Sequence, residues 1–90
     1  RRGGGETVLE VKADKAAAET AFSGLSGMEK LESSSLDDGY LRLVLHPHGD
    51  DDLREVAYAR IRERGWPLRE LSRRRQTLED AFVQITTEDD

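Results

Sequence analysis

The spacing of apolar and polar positions changes along the chain, and each change predicts a new secondary-structure element. Residues 6–12 ("ETVLEVK") are rich in β-branched side chains that partly alternate with polar ones, which predicts a strand. The alanine-rich residues 15–21 ("KAAAETA") favour a helix, with Asp14 placed as its N-cap. Gly24 and Gly27 are expected to end this helix.

A β-hairpin is predicted after the first helix. Residues 28–36 ("MEKLESSSL") alternate weakly and are polar, which is typical of an edge strand. Asp37, Asp38 and Gly39 form a turn signal, in which the glycine can adopt a left-handed conformation. Residues 40–46 ("YLRLVLH") are the most apolar strand candidate, so the two segments should pair as a hairpin.

A second helix and a last strand are predicted from the next residues. Asp50 or Asp51 is placed to cap the helix, and Gly65 is placed to end it. Residues 66–71 form a short strand, and Pro67 confines this strand to a sheet edge or stands as its first residue. The apolar positions of the helix recur at helical spacing and comprise Leu53, Val56, Ala57, Tyr58 and Ile61.

The predicted order β-α-β-β-α-β indicates an α+β fold of the ferredoxin-like type, a four-stranded antiparallel sheet with two helices on one face. The apolar segments 8–11 and 41–45 should be the central strands, and the polar and proline-bearing strands should be the edges. The chain begins with Arg1 rather than Met, and residues 1–5 ("RRGGG") are interpreted as a linker remnant of a longer protein. Residues 6–90 are then a single domain.

Composition narrows the classes of function. The net charge of −5 and the isoelectric point near 5.0 provide no general basic surface for nucleic acid or an anionic membrane. The absence of cysteine excludes disulfides, thiolate chemistry and cysteine-based zinc sites, and it suits a reducing compartment. No apolar run has the length of a transmembrane helix, so a cytoplasmic location is expected.

No catalytic, cofactor-binding or metal-binding residue is assigned from the sequence. His46, His48 and residues 50–52 ("DDD") would suit a divalent metal, but aspartates at a helix start are also explained by capping, which is the preferred interpretation. The serines lack the G-x-S-x-G spacing of a nucleophile elbow. A stand-alone enzyme therefore has no support in the residues.

Three consecutive arginines are the densest positive charge of the chain. Arg73, Arg74 and Arg75 are predicted to follow the last strand directly. They could bind a phosphate or an acidic surface of a partner, because guanidinium groups bind such anions well. The preferred interpretation is a solvated turn that balances nearby acidic residues.

A short amphipathic helix is predicted at the C-terminus. Thr77 and Asp80 approximate a capping box. An apolar stripe follows at helical spacing and comprises Leu78, Ala81, Phe82 and Ile85. A helix this short needs tertiary contacts, which either its own domain or a second subunit would supply. Leu78 and Phe82 therefore join the three arginines as candidates for a partner interface.

Residues 64–90 ("RGWPLRELSRRRQTLEDAFVQITTEDD") resemble the C-terminal end of ATP-binding subunits of bacterial ABC exporters of the drug, sodium and gliding-motility type. In that family a strand is followed by a Leu-Glu-Asp-aromatic helix that ends in Leu/Ile-Thr. The matching residues are Leu78, Glu79, Asp80, Phe82, Ile85 and Thr86. Ala81 departs from the pattern, since a larger aliphatic residue is common there.

The resemblance implies a non-catalytic regulatory or assembly domain that follows the nucleotide-binding domain in the same polypeptide. ATP and Mg²⁺ would bind to that upstream domain, so no cofactor is expected in this chain. The implied partners are the nucleotide-binding domain, a second copy in a homodimer and, indirectly, the membrane permease at the inner membrane. The alternative is a small-molecule sensor, because ferredoxin-like domains elsewhere bind effectors between paired copies, and the fold alone does not separate the two.

Overall fold

The computed structural model describes residues 5–75, which form one antiparallel sheet and two helices. The strands are β1 (Glu6–Lys12), β2 (Met28–Ser35), β3 (Tyr40–Pro47) and β4 (Leu68–Arg74), and the helices are α1 (Lys15–Phe22) and α2 (Arg54–Arg64). The element order β-α-β-β-α-β and the strand order β2-β3-β1-β4 confirm the predicted ferredoxin-like α+β fold. The predicted C-terminal helix, with Leu78 and Phe82, lies outside the described residues.

The central and edge strands are those that the sequence predicts. β1 and β3 lie in the centre of the sheet and pair with each other, with Leu9 opposite Leu43. Both of these leucines are fully buried. β2 and β4 are the edges. Apolar strands occupy the centre because only there can both neighbours and the helices exclude water from their side chains.

The two faces of the sheet have different environments. Because side chains alternate along a strand, every second residue of β1 and β3 faces the helices. The core between sheet and helices is formed mainly by Leu9, Val11, Ala18, Ala21, Phe22, Leu41, Leu43, Leu45, Ala57 and Ile61. The opposite face, here called the outer face, carries Glu6, Val8 and Glu10 of β1 and Arg42, Val44 and His46 of β3.

A tight turn joins β2 to β3. The amide of Tyr40 donates to the carbonyl oxygen of Asp37, and the amide of Leu36 donates to the carbonyl oxygen of Tyr40 at 2.7 Å. Gly39 has a φ of 78°, as predicted, and Asp38 also has a positive φ of 65°. Two central residues of positive φ are typical of the hairpin turn whose twist matches that of the strands, and aspartate tolerates this conformation.

The helix starts confirm one capping prediction and contradict the other. Asp14 caps α1, because its carboxylate accepts a hydrogen bond from the amide of Ala17 at 3.1 Å. Neither Asp50 nor Asp51 caps α2, whose N-cap position is Leu53 and has no side-chain cap. The longer helix, α2, has 11 residues, and no helix in the described part of the chain is long and apolar enough to cross a membrane.

The last strand begins and ends later than the predicted range 66–71. β4 runs from Leu68 to Arg74, and Pro67 precedes it. The carbonyl oxygen of Pro67 accepts a hydrogen bond from the amide of Lys12 at 3.0 Å, so the proline joins the sheet edge through the one backbone group it can use. The strand extends further because Arg73 and Arg74 pair with Thr7 and Glu6 of β1.

Candidate functional site

Two arginines of the candidate triplet belong to strand β4. The prediction that all three follow the strand as a turn is therefore wrong for Arg73 and Arg74, while Arg75 directly follows the strand. The cause is the length of β1, which offers backbone partners as far as Glu6. Pairing across the sheet, rather than the local sequence, sets the end of β4.

The three guanidinium groups differ in exposure and in their partners. Arg73 Nη2 donates to the backbone oxygen of Asp50 at 2.9 Å, and the Arg73 side chain is only 16% exposed. Arg75 Nη2 lies 3.7 Å from Asp50 Oδ1, and Arg74 Nη2 lies 3.4 Å from Glu70 Oε2. The Arg74 and Arg75 side chains are 55% and 54% exposed. Arg74 and Arg75 therefore have the guanidinium groups that a partner could reach.

Two aspartates of the acidic run before α2, Asp50 and Asp52, pair with arginines, and Asp52 also accepts from the first amide of the helix. Asp50 accepts from Arg73, as described above. Asp52 Oδ1 accepts from the backbone amide of Arg54 at 3.1 Å, and its Oδ2 lies 2.7 Å from Arg54 Nη2. These hydrogen bonds from Arg54 lower the pKa of Asp52 from 3.8 to about 2. Asp50 thus joins the β3–α2 loop to the end of β4, whereas the ion pair of Asp52 lies at the start of α2.

The two histidines do not join this acidic run. His46 lies on the outer face, with Nδ1 3.6 Å from Glu6 Oε1 and Nε2 3.3 Å from Glu32 Oε1. The two carboxylates contact opposite nitrogens of the ring, so they cannot share one ion with it. Within residues 5–75, no group of three or more histidine, aspartate and glutamate side chains is arranged to hold a metal ion.

A charged cluster on the outer face was missed by the sequence analysis. Glu10 is buried, and its Oε2 and Oε1 accept hydrogen bonds from Arg42 Nη2 at 2.8 Å and from Arg69 Nε at 3.0 Å. The Arg69 guanidinium lies over the ring of Tyr40, 4.0 Å from its centroid. The one feature of the sequence that pointed to this cluster was a glutamate in the middle of an apolar strand. Its two partners could not be identified from the sequence, because they lie 32 and 59 residues away.

The ionisation of Glu10 is linked to folding. Its hydrogen bonds with Arg42 and then with Arg69 lower the pKa of Glu10 below the usual value of 4.5. A carboxyl group whose pKa is lower in the folded than in the unfolded state stabilises the fold at pH values above its unfolded-state pKa. This stabilisation is lost as the pH falls through the folded-state pKa.

Replacing Glu10 with glutamine is expected to lower the melting temperature at pH 7, because the two guanidinium groups lose a charged acceptor. The variant should also lose less stability than the wild type as the pH falls below 4.5. Melting temperatures recorded by circular dichroism across this pH range measure both effects. Glu29→Gln, at an exposed position of β2, is the matched control. Parallel pH profiles for wild type and Glu10→Gln would contradict the linkage.

Comparison of the chain with protein-family models, curated proteins and solved structures finds no match. The candidate partner surface is the end of β4, where the exposed guanidinium groups of Arg74 and Arg75 lie.

Proposed function

We propose that this chain is a non-catalytic accessory domain of the ATP-binding subunit of a bacterial ABC exporter. It follows the nucleotide-binding domain in the same polypeptide and regulates or assembles the subunit through protein contacts. ATP and Mg²⁺ bind to the upstream domain, and the permease is contacted only indirectly, on the cytoplasmic side of the inner membrane. The observation that carries the proposal is the terminal motif of Leu78, Glu79, Asp80, Phe82, Ile85 and Thr86.

The exposed end of β4 supports a role in binding. The arginines at the end of β4 lie next to the terminal motif in sequence, and two of them are more than half exposed. Exposed guanidinium groups suit carboxylates of a partner and give an attraction that weakens with salt. The ferredoxin-like fold itself is compatible with many functions, so it adds no weight to one of them.

The upstream coding sequence tests the family assignment directly. A glycine-rich Walker A loop with its lysine, a Walker B acid and an ABC signature are expected before residue 1, because these motifs hold ATP and Mg²⁺. An upstream region that lacks them would refute the proposed function, whatever the binding experiments show.

The arginines provide a second test, with the nucleotide-binding domain and this chain mixed as separate proteins. Replacing Arg74 and Arg75 with serine should weaken binding about two- to thirtyfold at low salt, since an exposed ion pair contributes about 0.2–1 kcal/mol. Arg73 is kept, because its bond to Asp50 supports the fold. Isothermal titration calorimetry at low and moderate salt measures the affinity.

The matched control is the pair Arg62→Ser and Arg64→Ser, which removes the same charge from the exposed surface of α2. This control should bind as the wild type does, and both double variants should keep the wild-type melting temperature within a few degrees. Equal affinity of all three proteins at both salt concentrations would mean that Arg74 and Arg75 make no partner contact.

A further inference from the structure

Strand β2 has a free outer edge in the described part of the chain. It is the terminal strand in the order β2-β3-β1-β4 and has eight residues. The bond from the Leu36 amide to Tyr40 fixes which backbone groups of β2 face β3. Because these groups alternate, those of Lys30 and Glu32 bond to β3, and those of Leu31 point away from the sheet. The edge can therefore donate and accept hydrogen bonds at Leu31 and at Ser33.

The side chains on either side of Leu31 carry opposite charges on one face. Lys30 and Glu32 both lie on the outer face, with Nζ 3.2 Å from Oε2, and their side chains are 63% and 50% exposed. Leu31 lies between them and points to the helix side, where it packs at the rim of the core in a half-buried position. A new strand beside β2 would meet a lysine and a glutamate on one face and a leucine on the other.

Symmetry restricts how a second copy can pair with this edge. A twofold axis perpendicular to the joined sheet keeps the helices of both copies on the same side of it. Such an axis lies midway between one residue of β2 and the same residue of the other copy, so that these two residues are directly opposite each other. An axis at Lys30 or Glu32 places like charges directly opposite each other, which is unfavourable. An axis at Leu31 places each Lys30 opposite a Glu32 of the other copy, and this happens twice, whereas an axis at Ser33 places Glu32 opposite Ser34 and pairs no opposite charges.

We propose that β2 binds β2 of a second copy of this chain, antiparallel and centred on Leu31. The two four-stranded sheets then become one continuous sheet. Leu31 of each copy lies opposite its equivalent, so the apolar rims of the two cores meet on the helix side. The pairing satisfies the exposed backbone groups of both edges. This inference does not depend on the proposed function, because it uses only β2.

Charge reversal of single residues tests the interface. Lys30→Glu makes glutamate face glutamate across the axis, and Glu32→Lys makes lysine face lysine. Each variant alone should raise the dimer dissociation constant about tenfold or more at low salt, since directly opposed like charges are destabilising. Sedimentation equilibrium of the full chain over a concentration series measures this constant.

Mixing the two variants is the decisive step. A Lys30→Glu chain and a Glu32→Lys chain restore both opposite-charge pairs between them, although neither regains its own Lys30–Glu32 contact. The mixture should therefore form a heterodimer as tight as the wild-type dimer. Arg64→Glu, on α2, is the matched control for the change of charge, and it should dimerise like the wild type.

Three results would overturn the inference. The first is a wild-type chain that stays monomeric throughout the concentration series. The second is a dimer that persists in both single variants, and the third is a mixture that remains monomeric. Circular dichroism melts of each variant show whether the chains are folded, so that loss of the dimer is not confused with unfolding. These results leave the exporter assignment untouched, because that assignment is tested on the upstream sequence.

Discussion

Replacing Phe22 with alanine is expected to lower the free energy of unfolding by about 3–5 kcal/mol. Phe22 is the last residue of α1, and its side chain is completely buried in the core between helices and sheet. Within residues 5–75 it is also the largest of the fully buried side chains. Its removal loses the transfer free energy of the ring and leaves a cavity that the neighbouring strands, held by their hydrogen bonds, can only partly fill.

A loss of this size is large for a small domain. Domains are stable by roughly 0.05–0.15 kcal/mol per residue, which for this chain is about 5–13 kcal/mol in total. Urea unfolding followed by circular dichroism measures the change through the midpoint, and an unchanged slope shows that the unfolding remains two-state. The variant should be folded at low temperature and unfold at a much lower urea concentration than the wild type.

Tyr58→Ala is the matched control, because Tyr58 is an aromatic residue of α2 that is 46% exposed. Its ring is 5.9 Å from the Arg62 guanidinium, a contact worth about 0.5–1 kcal/mol at an exposed site. The control should therefore lose about 1 kcal/mol or less. If Phe22→Ala and Tyr58→Ala shift the midpoint equally, the core between α1 and the sheet is not as described.

Adjacent residues of β3 are expected to differ strongly in their response to truncation. Leu43→Ala should lower the free energy of unfolding by about 2–5 kcal/mol, because Leu43 is fully buried against the helices. Val44→Ala should cost about 1 kcal/mol, since Val44 is half-buried on the outer face. Chemical denaturation of the two variants measures the difference.

The comparison tests the register of the central strand pair. A shift of one residue between β1 and β3 would exchange the faces on which Leu43 and Val44 lie. Leu43 is opposite Leu9, and Val44 is opposite Val8. A larger loss for Val44→Ala than for Leu43→Ala would therefore contradict this register.

The sequence by itself predicted the elements and their order, because these depend on local chemistry. Asp14 lies three residues before the amide that it caps, and Gly39 lies inside the turn that needs its positive φ. The apolar character of β1 and β3 also predicted which strands are central, since a strand between two others and under the helices is more buried than an edge strand. Each of these features depends on residues that are close to one another in the sequence.

The tertiary structure decided the environment of the charged residues. In the sequence, nothing indicates which residues pair with Glu10. The folded sheet brings Arg42 and Arg69 to its two carboxylate oxygens. Likewise, the end of β4 depends on β1, and the burial of Arg73 depends on Asp50, 23 residues earlier. Ion pairs depend on distances between side chains far apart in sequence, and periodicity within one segment does not encode those distances. The sequence therefore determined the type and order of the strands and helices, and only the folded chain determined which charges are paired and which remain exposed.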